Sequence, residues 1–203
     1  MTYLVQNSKA AVYSLKIKYL GDFLPKSNLD VIRLKIVVDK LPKIGYTLYI
    51  EKRKGLKKMT IYFDMDGTIA DLYGVEDWLP KLRAFDASPY ADARPLVRFS
   101  TLARLLNKLQ KNGYRLGVIT WGSKVSTEEY DEAVSAAKLE WLHIHLPSVN
   151  WDEFHYTSYG VPKHETAEEP DGILFDDNEG IRKAWTGTAY DVENIIETLK
   201  GLL

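Results

Sequence analysis

The sequence predicts an α/β fold: a parallel sheet covered by helices on both faces, with a short helical cap inserted after the first strand and a small basic N-terminal extension. Three observations predict it. Short apolar runs at Ile61–Phe63, Tyr114–Ile119 and Ile173–Phe175 read as buried strands. Stretches of helical period lie between and after them, and strands that alternate with helices imply a parallel sheet with both faces covered. Each run also stops at residues able to do chemistry: Asp64 and Asp66, then Thr120, then Asp176 and Asp177. In a parallel sheet these ends share one edge, and ligands of open α/β sheets collect outside the carboxyl ends of the strands.

Composition bounds what the chain can be. Its 203 residues suffice for one large domain, or a medium domain with an appendage. There is no cysteine, which excludes disulfides and thiolate metal sites and points to a reducing compartment. The stretch 1–21 lacks the basic start and unbroken apolar core of a signal peptide. No apolar run approaches the ~20 residues of a membrane span. A soluble, cytoplasmic protein with no membrane partner is expected; oligomeric state is not legible.

Charge divides the chain. Residues 1–58 hold 13 Lys/Arg against 4 Asp/Glu, a surplus of nine positive charges, and 59–203 hold 14 against 24, a deficit of ten. Such asymmetry marks separate modules, and a basic module either meets nucleic acid or simply docks on the acidic part of its own chain. Within the first part, 7–20 reads as a short helix, with Ala11, Leu15, Ile17 and Leu20 loosely periodic. Val31 to Val38 and Tyr46 to Lys52 alternate as strands around a turn at 41–45, so they can pair as a hairpin. Residues 51–58 read as a solvated basic linker, and Met59 is suited to open a self-sufficient domain.

From 59 onward the elements follow in order. The strand at Ile61–Phe63 ends in Asp64-Met65-Asp66-Gly67-Thr68, where Gly67 permits a tight turn. Read alone, these acids fit an ordinary acidic turn as well as a site. Residues 72–98 are too long for a simple loop. Trp78, Leu79, Leu82 and Phe85 fall at helical spacing over 75–85, and 86–94 is a loop or broken helix. This insertion suits a lid, with Tyr73, Trp78, Phe85 and Tyr90 available either for stacking on a substrate or for the lid's own packing. Ser100 to Asn112 is a helix with a leucine stripe, Ser100 as its N-cap and Asn112-Gly113 as its stop. The next strand ends in Thr120-Trp121-Gly122-Ser123-Lys124, a turn that brings hydroxyl and N–H donors to a phosphate. Ser126 with Glu129 forms a capping box for a helix that reaches His145, with Tyr130, Val134, Ala137 and Trp141 on one face. His143 and His145 are two apart, do not share a face and make a poor metal pair. A short strand covers 152–156, where His155 suits packing. Lys163 lies in a loop 13 positions before Asp176. Asn178 suits the cap of a helix over 179–185, Thr188–Tyr190 a last strand, and Asp191 the cap of the closing helix.

Chemistry follows from this convergence. Carboxylates gathered at one edge repel each other and would hold a hard dication, for which Mg²⁺ with Asp64, Asp66, Asp176 and Asp177 is the natural set. Thr120 and Lys163 would bind a phosphate, Lys124 being the rival lysine. Asp64 would attack phosphorus to give an aspartyl-phosphate, and Asp66 would protonate the leaving oxygen and then activate water.

In order and context, Asp64-Met65-Asp66-Gly67-Thr68, Thr120, Lys163 and Asp176-Asp177 resemble the four motifs of the haloacid dehalogenase-like phosphohydrolases. The resemblance covers about 59–203. Asp64 through Tyr73 and Ile173 through Asn178 look like the 5′(3′)-deoxyribonucleotidase branch and related phage and bacterial proteins. The resemblance implies a Rossmann-like core, Mg²⁺ dependence, Asp64 as nucleophile, Asp66 as acid/base and a cap after the first motif. The second acid, Asp66, is usual in the phosphatases of the superfamily and absent from its dehalogenases. The substrate expected is a small phosphorylated molecule, with nucleoside monophosphates as candidates. The rivals are a polynucleotide end phosphatase that holds a strand through residues 1–58, and a non-catalytic binding protein of the same fold.

Overall fold

The computed structural model describes the strands Thr2–Gln6, Val12–Lys16, Lys35–Lys40 and Tyr46–Glu51 and the whole of residues 59–203. The chain separates into two compact units, Met1–Lys57 and Lys58–Leu203.

In the first unit, β1 (Thr2–Gln6) pairs antiparallel with β2 (Val12–Lys16), from Thr2↔Lys16 to Gln6↔Val12. The helix expected over 7–20 is therefore replaced by a strand at 12–16. The run Val-Tyr-Ser-Leu-Lys alternates and is led by β-branched and aromatic residues, so strand pairing outweighs a loose helical period. β3 (Lys35–Lys40) pairs antiparallel with β4 (Tyr46–Glu51), from Lys35↔Glu51 to Lys40↔Tyr46, which is the hairpin the alternation predicts. The expected strand start at 31–34 and the linker at 52–58 lie outside the described residues.

The second unit is built on five parallel strands: β5 (Thr60–Phe63), β8 (Arg115–Trp121), β9 (Glu153–Thr157), β10 (Ile173–Phe175) and β11 (Thr188–Tyr190). Their spatial order is β11-β10-β5-β8-β9. The chain runs from β5 outward to β9, then returns to the other side of β5. The switch point lies between β5 and β10, where such sheets bind ligands. Ile61, Tyr62, Phe63, Leu116, Val118, Leu174 and Phe175 are wholly buried, as near-continuous apolar strands of a two-sided sheet must be.

One face is packed by α3 (Phe99–Lys111), α7 (Ile195–Gly201) and the C-terminal half of α4 (Glu128–His145). There Leu102, Leu106, Leu109, Trp141, Leu142, Ile195 and Leu199 enclose Ile61, Phe63 and Phe175. On the other face Tyr62, Ile119, Leu174 and Trp185 cluster with Ile181 of α6 (Glu179–Ala184). Gly117 is required here, because a Cβ would stand 2.6 Å from the Tyr62 ring.

The cap leaves and rejoins the sheet unit through a two-residue ribbon, β6 (Ala70–Asp71) against β7 (Arg94–Pro95). Inside it are a 3₁₀ turn (Leu72–Gly74), α1 (Trp78–Arg83) and α2 (Ser88–Asp92). The helix expected over 75–85 is thus shorter at both ends. Asp77 precedes it with φ 56°, and Phe85 follows it with φ 59°. The N–H groups of Phe85 and Asp86 return to Leu82 and Lys81, closing the helix with a left-handed residue that is not glycine. Leu72, Leu82 and Tyr90 pack on Tyr130 and Val134, so the cap rests on the N-terminal half of α4.

Three helix starts differ from expectation. Arg98, not Ser100, occupies the N-cap of α3, with no side-chain hydrogen bond. Thr127, not Ser126, caps α4, its Oγ1 accepting from Tyr130 N–H at 3.2 Å. The Ser126 hydroxyl donates instead to Asp131 at 2.7 Å, which takes it out of the capping position. The stop at Asn112-Gly113 is as expected, with Gly113 at φ 94°. Asn178 caps α6 as expected, its Oδ1 accepting from Gly180 and Ile181 N–H, but Asp191 caps the 3₁₀ turn Val192–Asn194, and Asn194, with no side-chain hydrogen bond, occupies the N-cap of the closing helix α7.

Candidate active site

Asp64 follows β5 directly, and its N–H donates to Phe175 C=O at 2.9 Å, continuing the pairing of β5 with β10. The chain then turns sharply. Met65 C=O accepts from the N–H groups of Thr68, Ile69 and Ala70, and Gly67 adopts φ 78°. A side chain at Gly67 would meet Asp177 Oδ2 at 2.5 Å, so that turn needs glycine for both its dihedral and its space. Thr68, wholly buried, accepts from Asp177 N–H at 3.1 Å and ties the two acidic strand ends together.

Asp64, Asp176 and Asp177 each offer a carboxylate oxygen, and the three oxygens lie within 4.8 Å of one another. Lys163 sits on them. It opens α5 (Lys163–Thr166), is buried, and places Nζ 2.7 Å from both Asp64 Oδ1 and Asp176 Oδ2. Of the two candidate lysines, Lys163 therefore contacts the acids. Lys124 lies on the rim of the cleft, 6.0 Å over the Tyr159 ring. Burial pulls the Lys163 ammonium down, but Asp64 and Asp176 outweigh it and hold its pKa above the ordinary value. Burial pushes the Asp176 carboxyl up to about 6, with Asp64 adding to the rise and Lys163 opposing it. Asp177 is raised in the same way, by burial and then by Asp64.

Asp66 stands apart from the three-acid group. Its Oδ2 is 2.7 Å from Lys138 Nζ. Burial raises its pKa above the carboxylate range, Lys138 pulls it back, and Asp64 adds to the rise. Thr120 is wholly buried and does not line the cleft; its Oγ1 accepts from the same Lys138 at 2.7 Å. Gly122, Ser123 and Lys124, which follow it, do line the cleft.

The sequence reading missed Lys138. It occupies the buried stripe of α4, four residues after Val134 and three before Trp141, in place of the neighbouring Ala137. A lysine at a core-facing helical position is the signal that would have found it. His143 is exposed beside Glu140, and His145 packs against Phe99 and Trp141, so neither shares the site. His155 pairs with buried Glu153 at 3.0 Å on the sheet.

The cleft above the acids has a volume of about 570 Å³. Asp64, Asp66, Lys163, Asp176 and Asp177 line it together with aromatic residues from both sides. Tyr73 and Trp78 from the cap stand edge-to-face at 5.1 Å, while Trp121 and Tyr159 stand at 5.0 Å. Phe85 is half exposed and packs edge-on to Tyr130; Tyr90 is buried. Among the described residues no helix is long and apolar enough to cross a membrane.

No protein-family model matches the chain, and no curated protein matches it in sequence. Among solved structures the chain is similar to the crystal structure of D,D-heptose 1,7-bisphosphate phosphatase from Burkholderia thailandensis. The identity is 18%, the match covers 63% of this chain and 71% of that one, and the TM-score is 0.40.

Proposed function

We propose that this protein is a Mg²⁺-dependent phosphomonoester hydrolase of the haloacid dehalogenase-like kind, acting through an aspartyl-phosphate on Asp64. The observation that carries this reading is Lys163 bridging Asp64 and Asp176 beside Asp177, at the switch point of a parallel sheet. Three of the four motifs resembling that superfamily, at Asp64, Lys163 and Asp176-Asp177, fall on these same residues, while the second, at Thr120, lies buried behind them.

The donor set fits the metal. Three carboxylate oxygens in reach of one another are hard ligands, and they leave positions for water and phosphate oxygens. Asp64, Asp176 and Asp177 would hold it, and a bound dication supplies positive charge against the phosphoryl oxygens.

The chain's own residues account for the bond changes. An Asp64 carboxylate oxygen bonds to phosphorus as the bond from phosphorus to the leaving oxygen breaks, and that oxygen takes a proton from Asp66. Water then attacks phosphorus, gives its proton to Asp66, and the bond from phosphorus to Asp64 breaks, releasing inorganic phosphate. Lys163 orients the nucleophile and offers fixed positive charge in a shielded site. The aromatic walls at Trp78, Trp121 and Tyr159 suit a planar leaving group, which puts nucleoside monophosphates among the first substrates to try.

The test is a screen over nucleoside monophosphates, sugar phosphates and phosphorylated oligonucleotide ends with Mg²⁺ present. Asp64→Asn should lower turnover of p-nitrophenyl phosphate by at least ~10³-fold with an unchanged circular dichroism spectrum. Unchanged turnover would remove Asp64 as nucleophile. EDTA should abolish activity and Mg²⁺ restore it; activity that persists in EDTA rejects the metal assignment.

A further inference from the structure

Lys138 is buried to 1% exposure, inside the α4 stripe that otherwise carries Tyr130, Val134 and Trp141. An ammonium has three donors and no acceptor. All three are used, and each at 2.7 Å: to Asp66 Oδ2, to Thr120 Oγ1 and to Trp121 C=O. The Tyr90 ring of the cap lies 4.8 Å from the same nitrogen, and Tyr156 of β9 6.0 Å. A buried ion pair is weak evidence for stability, because desolvation of the two charges offsets their attraction. A leucine at this helical position would serve packing better. What the ammonium does is join the turn after β5 to the end of β8, the two strands that flank the site on this side.

Building on the reading of Asp66 as acid/base, we infer that Lys138 is a positioning residue that fixes which oxygen of Asp66 meets the leaving group. Oδ2 is held by a group that can only donate, so Oδ1 is the oxygen turned toward the reacting bond. The same nitrogen anchors the backbone of Trp121, whose ring lines the cleft 5.6 Å from Lys163 Nζ. Lys138 touches no reacting atom. It acts through Asp66 and through the end of β8.

Leaving-group dependence separates this role from general damage to the fold. An alkyl phosphate needs its leaving oxygen protonated; 2,4-dinitrophenolate leaves without help. Lys138→Met should lower kcat/KM for glycerol 2-phosphate by roughly 10²-fold, the loss expected when a positioned proton donor is misplaced, and change 2,4-dinitrophenyl phosphate by only about threefold. Asp66→Asn should give the same selective pattern, and the double variant should be no worse than Asp66→Asn alone. Equal losses on both esters, or a double variant whose losses multiply, would overturn the inference. If Lys138→Met fails to fold, Lys138→Gln, which keeps a donor at similar reach, takes its place with the same pair of esters: a selective loss on glycerol 2-phosphate supports the inference, and equal losses overturn it. A wild-type chain that turns over neither ester overturns the phosphatase reading itself, and this inference with it.

Discussion

At the scale of single residues, the site is a set of charges held in a tension that a bound cation would relieve. Asp176 has a carboxyl raised to about 6 from an ordinary 3.8, so the folded chain holds that proton more tightly than the unfolded one. Its contribution to stability is therefore full below pH ~4 and is lost as pH rises through ~6. Asp66 and Asp177 shift in the same direction. His145, pulled down by burial, works in the opposite sense over this range. Comparison with Asp176→Asn isolates the effect. In EDTA, the melting temperature of the wild type relative to that variant should fall by ~5 °C between pH 5 and pH 7. Mg²⁺ should raise it more at pH 7 than at pH 5, because protons and metal compete for the same oxygens. A relative melting temperature flat across that range would refute the account. The acids were legible because Asp64, Asp66, Asp176 and Asp177 terminate apolar runs. Lys138 was passed over because the apolar stripe of its helix was drawn through the neighbouring Ala137, although the spacing from Val134 and to Trp141 places Lys138 on the buried face. The burial of Thr120 was hidden for a different reason: a strand-end hydroxyl looks identical in sequence whether it faces the cleft or the helix behind it.

At the scale of elements, periodicity located every strand of the sheet, while the ends of helices depended on single hydrogen bonds. The capping box over Ser126 and Glu129 is a case in point. Two adjacent hydroxyl residues compete, and Asp131 recruits Ser126 while Thr127 takes the backbone. Thr127→Ala should cost about 1 kcal/mol of unfolding free energy by urea titration. A cost below ~0.3 kcal/mol would show that the cap contributes nothing to α4. The short α1 lies inside the expected 75–85 but is trimmed at both ends, between left-handed residues at Asp77 and Phe85, positions where sequence rules look for glycine. Close approach between strands is likewise invisible in the sequence. Gly117→Ala should destabilise the protein by roughly 1–3 kcal/mol, since the new methyl group would overlap the Tyr62 ring. An unchanged urea midpoint would mean that β5 and β8 can part without cost.

At the scale of the whole molecule, the two compact units carry opposite charge, a surplus of eight over 1–57 against a deficit of nine over 58–203. Residues 59–203 contain the acids, Lys163, the cap and three buried clusters, so a chain starting at Met59 should fold and hydrolyse small phosphomonoesters at an undiminished rate. If its affinity for phosphorylated oligonucleotides falls while that rate holds, the basic unit serves as a recognition arm for strand ends; loss of small-substrate turnover would show instead that the second unit depends on it. Within that unit the ribbon of β6 and β7 has an engineering consequence. Antiparallel partners stand ~5 Å apart, so the chain departs at Asp71 and returns at its partner Arg94 through a gateway of fixed width. The carboxylates, Lys163 and Lys138 all lie outside the segment between those gateposts, whereas Tyr73, Trp78 and Phe85 lie within it. The gateway is thus a splice site: another insert whose ends meet at that spacing could be exchanged for this one, giving the proposed hydrolytic site a different clientele.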